Sequence, residues 1–272
     1  MPALQAQAVT TLDDGSTLTR SASADGTDEI VLFNASSAVI NTGGSAINTG
    51  TQPGRDGIFG TGGSNVEVAG GTVKGRDTNN GGSGVGINGG VFEFSAGTIT
   101  GGDSIINGNG GRGATITGTN LFTMTGGTLT GGNGSTGGVG LGIFDTAVGT
   151  ISGGTVAGGI GQSGSMAYSL RISAMANLTV SGGTFGGDFF LSDNASLTVR
   201  GYDLVFDRGT RSLSGFLEDG NAIDLLLFKA PDAFLTLVNA PPPAVPLPAG
   251  GILLLSGFGV AALFGRKRKR AT

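Results

Sequence analysis

The sequence contains no histidine and no cysteine, and only 12% of its residues are charged. Each shortage removes some chemistry. Without histidine there is no Ser-His-Asp or Cys-His pair and no imidazole metal site. Without cysteine there are no disulfides or thiolate ligands, which is compatible with an exported protein that is stable without covalent staples. The charge is also unevenly placed. All 19 acidic residues and 10 of the 15 basic ones precede Pro241, so the body carries about −9 and the tail +5. An acidic body argues against nucleic acid as a partner. Glycine is in excess, 56 of 272 residues, against a usual share of about 7%. It follows no three-residue period, which excludes collagen. With 38% apolar residues spread along the chain, a buried core is attainable.

The body repeats itself. Val66 to Val73, Phe92 to Ile99, Phe122 to Leu129, Gly149 to Val156 and Leu178 to Phe185 align without gaps. The threonine after the glycine corner falls at 72, 98, 128, 155 and 184, giving spacings of 26, 30, 27 and 29. A degenerate copy runs from Leu197 to Leu204, and Val39 to Ile47 is a weaker one. Within each copy apolar and small polar residues alternate with period two, the pattern of a strand with one buried face. The Gly-Gly pair predicts a corner with positive φ. Short strands, glycine corners and this period predict a right-handed parallel β-helix with one period per turn, in preference to a β-sandwich. Phe92, Phe94, Phe122, Met124, Leu129, Ile151, Leu178, Val180 and Phe185 are expected to fill its interior. The variable Gly/Asn/Ser-rich stretches between copies, such as Asp103 to Asn120 and Asn133 to Ala147, are expected to be loops or irregular strands on one side.

The two ends carry a different kind of information. At the start, Met1 to Ala8 lacks the basic and apolar parts of an export signal, but Ala6-Gln7-Ala8 has the small-x-small form of a cleavage site. The expectation is that the true precursor begins about 20 residues upstream. At the other end, Ala249 to Phe264 is an uncharged apolar run. As a helix it would be about 24 Å long, short for a bilayer core of about 30 Å. Arg266, Lys267, Arg268, Lys269 and Arg270 follow and would hold that end in the cytoplasm. The expected divisions are 1–29, an N-terminal segment; 30–200, the β-helix; 201–239, a cap; 240–248, a proline-rich linker; 249–264, a transmembrane helix; and 265–272, a basic tail.

Val245-Pro246-Leu247-Pro248-Ala249, the apolar segment and the basic cluster together resemble the VPLPA-type sorting signal, a variant of the PEP-CTERM signals of Gram-negative bacteria. The resemblance covers residues 245 to 270. It implies an exosortase-like membrane protease as partner, a transient anchor in the inner membrane with the body in the periplasm, and later release to the cell surface or envelope. The body more loosely resembles the glycine-rich repeats of bacterial adhesins, autotransporter passengers and other exosortase-sorted proteins. The expectation is therefore an exported, non-enzymatic surface or matrix protein, with extracellular polysaccharide or other cells as contacts and no cofactor.

The alternative is a polysaccharide lyase or glycosidase, whose chemistry needs paired carboxylates. Glu67 and Glu93 hold the same position in neighbouring copies and should stack about 5 Å apart on one outer face; solvated rim residues are the plainer reading. Asp77, Asp103, Asn133 and Asp188 each follow the second glycine corner. They are weak calcium candidates or Asx turns that bond their own backbone. Gly81-Gly82-Ser83-Gly84-Val85-Gly86 lacks the lysine and helix of a phosphate-binding loop.

Overall fold

Alternating apolar residues and glycine corners are resolved by strands that stack in three columns, each strand lying over its counterpart one turn earlier. The computed structural model describes residues 10–20, 29–49 and 55–241. Every regular element among them is a strand, and the columns belong to the unit Met1–Ala240. The first column passes through β1 (Thr10–Leu12), β3 (Ile30–Leu32), the starts of β6 (Ile58–Lys74) and β7 (Val85–Thr100), β8 (Ala114–Thr117), β11 (Leu141–Ile143), β13 (Leu170–Ile172), β15 (Phe189–Leu191) and β18 (Ala222–Lys229). The second passes through β2 (Thr17–Arg20), β4 (Ser37–Ile40), the middles of β6 and β7, β9 (Leu121–Met124), the starts of β12 (Val148–Ala157), β14 (Asn177–Gly186) and β16 (Ser196–Asp207), and β19 (Phe234–Asn239). The third comprises β5 (Ser45–Ile47), β10 (Thr128–Thr130) and the ends of β6, β7, β12 and β14. All these pairings are parallel. The fold is a β-solenoid of about six complete turns.

The register matches the repeat alignment on both sides of each corner, with a one-residue slip inside it where Ala69 meets Ala96 and Ser152 meets Gly182. Thr72 pairs with Thr98, Thr98 with Thr128, Thr128 with Thr155, and Thr155 with Thr184. The glycine just before the threonine of each corner, Gly71, Gly97, Gly127, Gly154 and Gly183, has a positive φ between 67° and 100°, which a side chain would strain. Of the expected interior residues, all but Phe185 are buried. Phe92 stacks on Phe94 at 6.4 Å and tilts against Phe122 at 5.3 Å; losing one such ring costs about 3–5 kcal/mol. Phe185 is half-buried, edge-on to Phe189 at 4.9 Å. It closes the third column, so no further strand covers it.

The fourth side of each turn is a glycine-rich connector, and here the coils touch backbone to backbone. The amide of Gly102 donates to Gly82, Gly111 to Gly102, Gly132 to Gly111, Gly138 to Gly132, and Gly159 to Gly138, at 2.7–2.8 Å. This ladder climbs through four successive connectors. It leaves no space for side chains: a Cβ on Gly111 would stand 1.9 Å from the carbonyl oxygen of Gly82, and one on Gly138 1.8 Å from that of Gly111. The connectors expected to be loops are therefore an ordered glycine spine.

The solenoid extends beyond residues 30–200 at both ends. Thr10–Leu12 and Thr17–Arg20 already pair in register with the next turn. Past Val199, β16 continues straight on instead of turning the corner. It pairs antiparallel with β17 (Ser212–Leu217), which pairs antiparallel with β18. β18 re-enters the first column and β19 the second. Segment 201–239 is thus a hairpin followed by one further partial coil. Asp219, in the β17–β18 turn, accepts the Gly183 amide at 2.6 Å, docking that turn on the last corner of the third column. Leu213, Leu217, Ile223 and Leu227 are buried beneath it. Asn239 accepts the Leu204 amide at 2.7 Å and donates to its carbonyl at 3.1 Å, satisfying a backbone that the β16 bulge leaves unpaired. The expected transmembrane helix at 249–264, the motif Val245–Ala249, the basic cluster Arg266–Arg270 and Ala6-Gln7-Ala8 lie outside the described residues. Among the described residues, no helix is long and apolar enough to cross a membrane.

Replacing Gly111 or Gly138 with alanine should destabilise the fold by about 3 kcal/mol or more, since backbone must move to admit the methyl. Gly209→Ala, whose methyl would meet only the Asp207 carboxylate at 3.2 Å, should cost less than about 1 kcal/mol. Equilibrium urea unfolding of the three variants checks this contrast; equal losses would show that the spine does not constrain the coils.

Candidate functional site

The outward positions of the columns form ladders. On the second column Glu67 and Glu93 are register partners, and Thr123 pairs with Glu93. Thr150, Thr179, Thr198 and Thr236 continue the line. On the third, Thr155 and Thr184 join hydroxyls at 2.9 Å. The two glutamates therefore stack as expected, at the strand spacing of about 4.8 Å, and both are exposed.

The acidic residues after the second corner do something else. Asp77 accepts the amide of Asp103 at 2.7 Å, Asp103 that of Asn133 at 2.6 Å, and Asn133 that of Ile160 at 2.8 Å. Each side chain bonds the backbone of the next coil, not its own turn, because the connectors rise directly over one another. Asp77 also pairs with Lys74 at 2.9 Å. Asp188 does not join this ladder; it accepts the Leu226 amide at 3.0 Å and so fixes the strand entering the last coil. Among the described residues, no three acidic side chains gather to hold a metal ion.

Two carboxylates that the repeat pattern did not single out have raised pKa values. Glu29 is buried; desolvation, and then the charge of Asp56, push its pKa up to about 7. Desolvation likewise raises Asp56 to about 6, opposed by the Ser83 amide that it accepts at 2.8 Å. Asp56 is held where the first column passes beneath Gly86, since a Cβ there would stand 2.3 Å from its carboxylate oxygen. Both residues precede a first-column strand by one or two positions. That position varies in type between copies, so no ladder announced it.

A groove of about 730 Å³ runs along the connector side of the first column, lined among others by Ser83, Arg112, Tyr168, Arg171 and Phe228. Gly142 makes room in it, since a Cβ there would meet the Phe144 ring at 2.6 Å and Arg112 Cδ at 3.3 Å. Sequence reasoning missed this groove too, because Arg112 lies in an irregular connector and Arg171 in a strand two coils further on. Compared with protein-family models, curated proteins and solved structures, the chain finds no match.

The raised carboxyls make a pH prediction. A carboxyl whose pKa is higher in the folded state stabilises the fold fully below its unfolded pKa, and that contribution is lost as pH rises through the folded value. Asp14 and Asp207 are lowered by hydrogen bonds, so what they contribute is present above about pH 4 and is lost only below it. Stability should therefore fall between about pH 4.5 and 7, and Glu29→Gln should flatten roughly half of that fall, leaving the part that Asp56 contributes. Thermal melts across this range check it; an unchanged slope in the variant would show that Glu29 is not held protonated.

Proposed function

We propose that this chain is the precursor of an exported cell-surface or extracellular-matrix protein, with a right-handed β-helix body acting as a structural, adhesin-like module. The carrying observation is the tail, with its motif, apolar run and basic cluster in order, placed after strand columns that are complete by Asn239. Ala249 to Phe264 and the cluster Arg266–Arg270 would stop the chain in the inner membrane and present Val245-Pro246-Leu247-Pro248-Ala249 to an exosortase-like protease on the outer side. A cut near that motif would leave β19 intact and release a body that needs no membrane to fold.

A second reading, a glycosidase or lyase acting on extracellular polysaccharide, draws on the stacked Glu67 and Glu93. Their spacing is close to the roughly 5 Å between the carboxyl groups of retaining glycosidases. New chain ends generated from acidic polysaccharides, and lost in Glu67→Gln, would favour it over the structural role.

Replacing Val245, Pro246, Leu247 and Pro248 with alanine should leave the full-length chain in the membrane fraction, while the unaltered chain appears as a shorter released form. Intact mass of both forms from the native envelope measures this. Release of the variant at the same bond would overturn the sorting reading.

A further inference from the structure

We propose that the groove over the first column binds an acidic polysaccharide, a chain of uronate sugars, through Arg112, Arg171 and the rings of Tyr168 and Phe228. The proposal takes its setting from the reading of the body as an extracellular module, but the site itself does not depend on the tail.

Arg112 and Arg171 both line the groove, and neither has a counter-ion among the described residues; the ion pairs Lys74–Asp77 and Arg200–Glu218 involve neither of them. The Nε of Arg171 is shut off from solvent with no hydrogen-bond partner, a costly state for a cationic group. Burial, and then the nearby charge of Arg171, loosen the hold of Arg112 on its proton. Packing keeps these two repelling cations in place: Arg112 lies over Phe144 at 5.2 Å and Arg171 over Phe190 at 5.5 Å. Asp188 also lines the groove, but its Oδ1 is engaged by the Leu226 amide. Two unpaired cations held together on a body of net charge about −9 form a preorganised site for an anion.

The geometry points to a carboxylated sugar chain. A guanidinium offers a planar fork that matches a carboxylate. Tyr168 packs against Phe190 at 5.4 Å and Phe228 at 5.8 Å. These rings form a rigid aromatic surface next to the cations, on which the apolar face of a pyranose can lie. Asn80 and Asn109 supply amides for hydroxyl groups further along. From the coil of Asn80 to the coil of Phe228 the groove crosses five coil steps, about 24 Å at the strand spacing. That length suits a linear polymer better than a single sugar.

Calorimetric titration of the purified full chain with oligogalacturonate, and with a neutral glucan of equal length, tests the proposal. The uronate should bind and weaken as salt is raised, and the glucan should bind at least tenfold less tightly. Arg112→Gln combined with Arg171→Gln should lose at least tenfold in uronate affinity. Arg200→Gln combined with Arg208→Gln, which removes an equal charge elsewhere, should change it less than twofold. Should the double variant fail to fold, hydroxyl-radical footprinting of the unaltered chain decides: bound uronate should protect Tyr168 and Phe228. Equal affinity for the glucan, or no protection of those rings at saturating uronate, would overturn the proposal. A chain that is not cut near Val245 yet still binds uronate would retire the sorting reading and leave the groove standing.

Discussion

The structure depends on how closely glycine lets one backbone approach another. Along the connector side, amides of Gly102, Gly111, Gly132, Gly138 and Gly159 each donate to a glycine carbonyl. A single methyl on this line would stand less than 2 Å from a neighbouring oxygen at several positions. Each hydrogen bond is worth only about 1 kcal/mol net, and ordering glycine costs more backbone entropy than ordering any other residue. The spine is therefore unfavourable in isolation. It persists because the opposite sides of the same coils bury Phe92, Phe94, Phe122, Leu129 and their partners, and because each coil is stabilised chiefly by its neighbours.

That division of labour accounts for the composition. Strands need apolar residues at every second position, corners need glycine at positive φ, and the spine needs glycine where coils interlock. Few positions remain for charge. The charges that do occur often have backbone tasks, as Asp77, Asp103, Asp188 and Asp219 show by accepting amides of other coils or strands. A surface freed from structural duty is then small, and the Arg112–Arg171 groove is a place where cations are held without a partner. The hairpin of β16 and β17 meets the remaining requirement, since the end of a solenoid must be covered; Asp219 on Gly183 places that cover.

Much of the fold was legible because the repeat is a register. Aligning Thr72, Thr98, Thr128, Thr155 and Thr184 in sequence predicts their pairing, the stacking of Glu67 on Glu93, and the interior of the second and third columns, while the first-column interior of Ile87, Ile116, Ile143, Ile172 and Leu191 lies outside the aligned copies. Three things were not legible. Coils whose copies are degenerate, such as Thr10–Leu12 with Thr17–Arg20, pair through backbone hydrogen bonds that carry no side-chain signature. Connectors of unequal length hide their order, because glycine packing leaves no hydrophobic pattern. Residues brought together across turns, such as Glu29 with Asp56 or Arg112 with Arg171, occupy positions that do not recur from copy to copy. Asp188 shows the reverse error: its similar place after a glycine pair suggested a ladder, but its coil has almost no connector, so it meets β18 instead.

Native-state hydrogen exchange of the full chain tests the spine most directly. If the glycine contacts bind the coils into one cooperative unit, the amides of Gly102, Gly111, Gly132, Gly138 and Gly159 should exchange as slowly as those of Phe92 and Phe122, within about tenfold. Exchange of those glycines near the rate of an open chain, with the phenylalanine strands still protected, would contradict the account.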